Sequence, residues 1–380
     1  MRVFDPEKLA QKLEKTMEDD RADGRVGGTA LCVMQSGKPI YKKYFGTVSA
    51  NSEKPVDAST IYRLASMTKP ITTVAALMMV DKGYIDLDEP ISRFIPAFEK
   101  MNVGKYNDEH KFVFDHEAKT PLTLRILLSH SGGLMSGAAQ ESQFSLMTDE
   151  DKKNLESVVA FDARSLLSFE PKTAQEYSSL ASFDVAARLV EMFTDTPFDE
   201  FLRKNIFAPC NMTDTTFAPT EEQWGRMITM HNRTSDGKSV DFPMTEGCVF
   251  VDLPTTWFCG GAGLASTLDD YVNFAEMLLN KGIAANGERI VSEKMIKEMS
   301  TAQVPVELMG EIMRWGLGVR VITADYHMPL GSYGWSGAYG THFWVDPQNE
   351  LTAVYMKNSA YDGGACARTA RVYEEDIYLG

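Results

Sequence analysis

The sequence has no run approaching the ~18 apolar residues of a membrane span. Its first stretch, MRVFDPEKLAQKLEKTMEDDRADGR, is charged and helical in period and lacks the apolar core of a signal peptide. Cysteine is scarce: Cys32, Cys210, Cys248, Cys259 and Cys366 are odd in number, without paired spacing or a C-x-x-C. That pattern excludes a disulfide framework and a structural zinc site, and leads us to expect reduced thiols in a cytoplasm. Positive charge is also short, 38 Lys and Arg against 53 Asp and Glu, for a formal net charge of −15. With no basic stripe to offset it, neither nucleic acid nor an anionic membrane surface is expected as a partner. The six histidines are scattered and no H-E-x-x-H occurs, so no metal and no cofactor is expected. The absence of G-x-S-x-G excludes the α/β-hydrolase nucleophile elbow.

What is present is a chain of 380 residues, 44% hydrophobic and 24% charged, long enough for a large core and two lobes. Residues 6–22 read as an amphipathic helix. A hairpin follows, with strand Thr29–Met34, an SGK turn and a return over Pro39–Phe45. A second helix starts near Ser66 and ends at Gly83. From about Asp86 to Pro219 the chain reads as helices and loops, including the long helix in SSLASFDVAARLVEMF and a short one in DEFLRKNIFAPC that Pro209 stops. Strands return after about Gly247, in WGLGVRVIT, THFWVDP and LTAVYMKN, with a helix in LDDYVNFAEMLL and a closing helix near the C-terminal end. The predicted fold class is α+β: an antiparallel sheet flanked by helices, with an α-helical lobe inserted. The expected lobes are 1–85 with 247–380 for the sheet and 86–246 for the mainly helical part. The cleft between them is the expected site.

The stretch LASMTKP places Ser66 three residues before Lys69, at the opening of an apolar helix. Residues i and i+3 share a helix face, so the two can touch. A serine hydroxyl needs a neighbouring base to become a nucleophile. Pro70 is tolerated only in a first turn, which puts Ser66 at a helix N-terminus, where a free backbone N–H can face an oxyanion. S-x-x-K fixes only two positions, and taken alone it reads equally as a capping serine. A second match, Ser235 to Lys238, sits in a turn marked by Asp236-Gly237 and reads as a solvated loop.

The order of five blocks carries more weight than any one of them. RLASMTKPITTVAALMMVDKGYIDLDEPISRFIP, PLTLRILLSHSGGL, EYSSLASFDVAARLVE, GGAGLASTLDDYVNFAEMLL and GWSGAYGTHFWVDP together resemble the penicillin-recognising serine hydrolases. These are the class C β-lactamases, DD-peptidases and family VIII carboxylesterases, and the likeness runs from about Gly27 to Asn358. It implies an acyl-Ser66 intermediate with Lys69 and a tyrosine acting as a coupled base, without choosing between them.

The family's Tyr-x-Asn box matches literally at Tyr271-Val272-Asn273. There Leu268, Tyr271, Phe274 and Leu278 form a helical core stripe, so the box is placed at Tyr177-Ser178-Ser179, with Ser179 replacing asparagine. The Lys-Thr-Gly box has no literal match. Its positional match is Trp335-Ser336-Gly337, which resembles the family VIII esterases. A lysine would attract an anionic substrate; Trp335 offers an apolar wall instead. The resemblance implies Ser179, Trp335, Ser336 and Gly337 as substrate-binding, and the N–H groups of Ser66 and Ala338 as the oxyanion hole. His130, at the end of a helix, reads as structural, bonding the last carbonyls. The expected enzyme is a carboxylesterase on small-molecule esters with small or medium acyl groups. A β-lactamase or DD-peptidase, an acyltransferase and a non-catalytic binding protein on the same scaffold are the alternatives.

Overall fold

The computed structural model describes residues 1–242, 256–364 and 367–379. The expected return of strands at Gly247, the lobe boundary at 246/247, Cys248 and Cys366 lie outside the described residues.

Helix α1 (Pro6–Ala22) starts where Asp5 accepts the N–H groups of Glu7 and Lys8 and Pro6 sets the first φ. Leu9, Leu13 and Met17, four residues apart, are its buried stripe. Strands β1 (Gly28–Gln35) and β2 (Lys38–Gly46) follow as the expected hairpin. Five more strands come late in the chain: β3 (Met313–Trp315), β4 (Arg320–Ile322), β5 (Tyr333–Ser336), β6 (His342–Asp346) and β7 (Leu351–Lys357). They form one antiparallel sheet in the order β2-β1-β7-β6-β5-β4-β3. The first hairpin joins the last strand, with Thr29 opposite Lys357 and Gln35 opposite Leu351.

Both faces of the sheet are covered, so β6 and β7 are buried at every position. Leu31, Val33, Trp344 and Tyr355 face α1 and the closing helix α5 (Arg368–Tyr378). Ala30, Cys32, Phe343 and Val354 face the main core, which contains α2 (Thr68–Asp81) and α4 (Leu268–Leu279). Every residue of α2 from Thr68 to Met79 is buried, which makes it an interior helix with no wet face. The other long helix, α3 (Ala181–Thr194), packs on α2. No helix among the described residues is long and apolar enough to cross a membrane.

Three readings are corrected. The region from 86 to 219 also holds a hairpin, Asn102–Tyr106 with Phe112–Glu117. WGLGVRVIT is not one strand: Gly318, at φ 65, turns the chain between β3 and β4. The helix at Phe198–Leu202 runs on as a π-turn, Arg203–Phe207, before Pro209.

Candidate active site

Ser66 lies in a 3₁₀ turn, Ala65–Met67, immediately before α2. The residue before it, Ala65, has φ 47, a left-handed conformation that a residue with a side chain adopts at a cost. Bonds on both sides hold it there. Leu64 N–H donates to Leu264 O at 2.9 Å, and the Leu64 carbonyl accepts Thr341 Oγ1 at 3.0 Å. The Tyr271 hydroxyl, wholly buried, donates to Met67 O at 2.8 Å. Tyr271 is therefore a core residue that braces the turn, as its helical stripe indicated.

Lys69, one turn on and fully buried, reaches back to Ser66 Oγ at 3.1 Å. It also donates to Ser179 O at 2.5 Å and Gly261 O at 2.7 Å. An ammonium has three N–H donors, and all three have acceptors here. Tyr177 approaches from the loop before α3 and places its hydroxyl 2.7 Å from Ser66 Oγ. Lys69 Nζ lies 4.9 Å from the Tyr177 ring centre, where the π face adds to its stabilisation. The structure thus brings Ser66, Lys69 and Tyr177 together from segments more than a hundred residues apart.

His130 does not bond helix carbonyls, contrary to expectation. At φ 56 and buried, its ring lies 4.6 Å from Tyr177 and 4.3 Å from Trp315, and Nδ1 accepts the Ser178 N–H at 3.1 Å. Burial, then the charges of Lys69 and Arg320, holds its pKa well below the ordinary imidazole value, so it stays neutral. It is a prop for the tyrosine loop.

Trp335 is on β5, buried, with its ring 5.5 Å from Tyr177 and 4.5 Å from Trp315 in an aromatic cluster. One element of it was missed. The guanidinium of Arg320, from the neighbouring strand β4, lies 5.1 Å from both tryptophan ring centres. A cation is therefore present beside the third box, although not at its first position.

Ser336 is corrected. Successive strand residues face opposite sides, so Ser336 points away from Tyr177. Its hydroxyl bonds His342 Nδ1 at 2.7 Å, His342 Nε2 bonds Glu374 at 2.8 Å, and Glu374 bonds His327 at 2.9 Å. This chain ties the sheet to α5 and holds the Glu374 carboxyl below its ordinary value against the effect of burial. Gly337 is corrected likewise. Its N–H donates to Thr341 O and its carbonyl accepts from Gly340 and Gly364. A Cβ there would meet Leu64 O at 2.2 Å. Gly337 thus allows the β5–β6 turn to lie against the Ser66 turn.

Ala338, next in that turn, is exposed, and no hydrogen bond among the described residues uses its N–H or that of Ser66. Ser179 contributes its carbonyl to Lys69, while its own N–H donates to Gln140 at 2.9 Å. Ser235–Lys238 is a turn around Gly237 at φ 84. Among the described residues no cluster of three or more His, Cys, Asp or Glu is arranged to hold a metal.

The sequence and the fold are similar to those of known proteins. The chain is 26% identical over 386 residues to Esterase EstB of Burkholderia gladioli, covering 95% of this chain and 93% of that protein. It is 25% identical over 379 residues to monacolin J acid methylbutanoyltransferase of Aspergillus terreus, covering 90% and 89%. In fold it is similar to the solved structure of EstCE1, a hydrolase with promiscuous acyltransferase activity, at TM-score 0.80 and 22% identity over 98% of this chain and 99% of that one. Residues 13–376, nearly the whole chain, match the Beta-lactamase family, to which this protein belongs.

Proposed function

We propose that this protein is a serine hydrolase that cleaves carboxylic esters through an acyl-Ser66 intermediate. The observation that carries the reading is the triangle of Ser66 Oγ with Lys69 Nζ at 3.1 Å and Tyr177 Oη at 2.7 Å. Lys69 and Tyr177 act as a coupled base in which Tyr177, as the tyrosinate, takes the serine proton at Oη. Ser66 Oγ attacks the ester carbonyl, and the N–H groups of Ser66 and Ala338 receive the oxyanion. The proton on Tyr177 passes to the departing alcohol. Tyr177 then takes a proton from water, whose oxygen attacks the acyl carbon, and Ser66 leaves with that proton. Lys69 Nζ, 3.1 Å from Ser66 Oγ and 4.9 Å from the Tyr177 ring centre, stabilises negative charge as it moves between the two oxygens.

Trp335 supplies the apolar wall for small or medium acyl groups, and Ser179 acts through its carbonyl on Lys69. The esterase relative supports hydrolysis. Transfer of the acyl group to an alcohol or amine other than water is the second reading, which the methylbutanoyltransferase relative favours. The proposal extends to a two-lobe division, 1–85 with 247–380 and 86–246, with Ser66 at the junction. The buried free thiols Cys32, Cys210 and Cys259 suit a reducing, cytoplasmic location.

The test is p-nitrophenyl butyrate hydrolysis by wild type and Ser66→Ala side by side. Turnover by wild type and background from the variant is the expected result. Equal activity in both overturns the assignment of Ser66.

A further inference from the structure

We propose that Asp184 is a positioning residue for the Ser66 chemistry: its carboxylate fixes the loop at Gly260–Gly261 so that the Gly261 carbonyl keeps the Lys69 ammonium beside Ser66. The inference rests on the hydrolase reading above and adds to it a residue that touches neither Ser66 nor the substrate site.

Asp184 is on the first turn of α3 and has no solvent exposure. A buried carboxylate is costly unless its oxygens are bonded. One oxygen accepts the Gly260 N–H at 2.7 Å and the other lies 3.8 Å from the Cys259 thiol. The loop it grips lies directly on the backbone that begins α3. A Cβ on Gly260 would meet Phe183 O at 2.4 Å, and one on Gly261 would meet Ser179 O at 2.6 Å. Held there, the loop turns two carbonyls toward α2. Gly260 O accepts the Thr72 hydroxyl at 2.8 Å and Gly261 O accepts Lys69 Nζ at 2.7 Å. The loop is thus clamped between Asp184 on one side and Thr72 with Lys69 on the other.

Three ionisable groups face Asp184: Lys69 from α2, Cys259 from the loop, and Asp162 from the helix Leu155–Asp162. Burial pushes Asp184 up to about 7, opposed by the Gly260 N–H and by the Lys69 charge. Burial and the Asp184 charge hold Asp162 well above the ordinary carboxylate range, so Asp162 is neutral and Asp184 is the acid of the pair that ionises. Burial likewise keeps the Cys259 thiol protonated. The sign follows. The anion that holds the loop is present above about pH 7 and lost as pH falls through that value.

The experiment uses the full chain as wild type, Asp184→Asn, Thr72→Val and Ser66→Ala. A fluorophosphonate titrates competent Ser66, and kcat and KM for p-nitrophenyl butyrate are measured from pH 5.5 to 9 per titrated site. Asp184→Asn is expected to lower kcat/KM about 10- to 100-fold, part of the about 10²–10⁴-fold that a positioned base supplies, mostly in kcat. It should also abolish the acid limb that wild type shows near pH 7. If Asp184→Asn does not fold, Thr72→Val, which releases the loop from the opposite side, is expected to lower kcat/KM per site. Wild-type kcat/KM per site in the variant that folds, or an unchanged limb in Asp184→Asn, overturns the proposal alone. Wild type that neither reacts with the phosphonate nor cleaves the ester overturns the hydrolase reading, and this proposal with it.

Discussion

Ala65→Gly tests the strained turn that presents Ser66. Ala65 stands at φ 47 with 1% exposure. A left-handed conformation costs a residue with a Cβ about 1–2 kcal/mol, and glycine pays almost none of it. Against that gain, the variant loses the burial of one methyl, about 0.8 kcal/mol. It also gains freedom in the unfolded chain, which lowers stability by about 0.4–1 kcal/mol. The terms cancel to within about 1 kcal/mol. Ala75→Gly provides the contrast. Ala75 is fully buried in the middle of α2, in ordinary helical conformation. There glycine costs about 1 kcal/mol in helix propensity and about 0.8 kcal/mol in lost burial, with nothing on the other side. Urea midpoints read by far-UV circular dichroism, measured in parallel, should fall clearly for Ala75→Gly and hardly move for Ala65→Gly. A fall for Ala65→Gly as large as that for Ala75→Gly refutes the claim that the turn is strained.

Tyr177→Phe removes one hydroxyl 2.7 Å from Ser66 Oγ and leaves the ring packed on His130 and Trp315. Its kcat for p-nitrophenyl butyrate should fall about 10²- to 10⁴-fold with little change in KM or urea midpoint, and a kcat within tenfold of wild type counts against Tyr177 as the base. Lys357 is fully buried on β7, and burial lowers its pKa from 10.5 to about 8. Between those values the unfolded chain holds a proton that the folded chain has released, so stability contributed here rises with pH across that window. The urea midpoint of wild type relative to Lys357→Met should therefore climb from pH 8 to 9.5; a constant difference contradicts the assignment.

The contact of Ser66 with Lys69 was legible because its signal is local: a serine, a lysine one turn on, and an apolar helix behind them. Tyr177 was chosen by order of blocks, and its hydroxyl lies 2.7 Å from Ser66 Oγ, while Tyr271, set aside by helical period, is buried in the core. Ser336 was misread although a local signal existed. Strand alternation sends neighbours to opposite faces, so a tryptophan wall at 335 already implies that Ser336 faces away. Arg320 had no such signal, since only the pairing of Arg320 with Gly334 across β4 and β5 brings it beside Trp335. The acceptors of Lys69 are backbone carbonyls of Ser179 and Gly261, and any residue type carries a carbonyl. The hairpin at 102–117 was missed because its strands alternate weakly, with Gly104 and Lys105 inside the first and Asp115 and His116 inside the second.

The pairing of β1 with β7 has a consequence for biosynthesis. When β1 and β2 leave the ribosome, the partner for the other edge of β1 is about 300 residues from being made, which at about 5–20 residues per second is roughly 15–60 s. For that time β1 has only β2 beside it, Leu31 and Val33 have only α1 over them, and α4 and the closing helix α5 are still to be made. An unpaired apolar edge is a template for strands of other chains. The nascent chain is thus vulnerable to aggregation at β1, a strand that the finished molecule buries at all but one position.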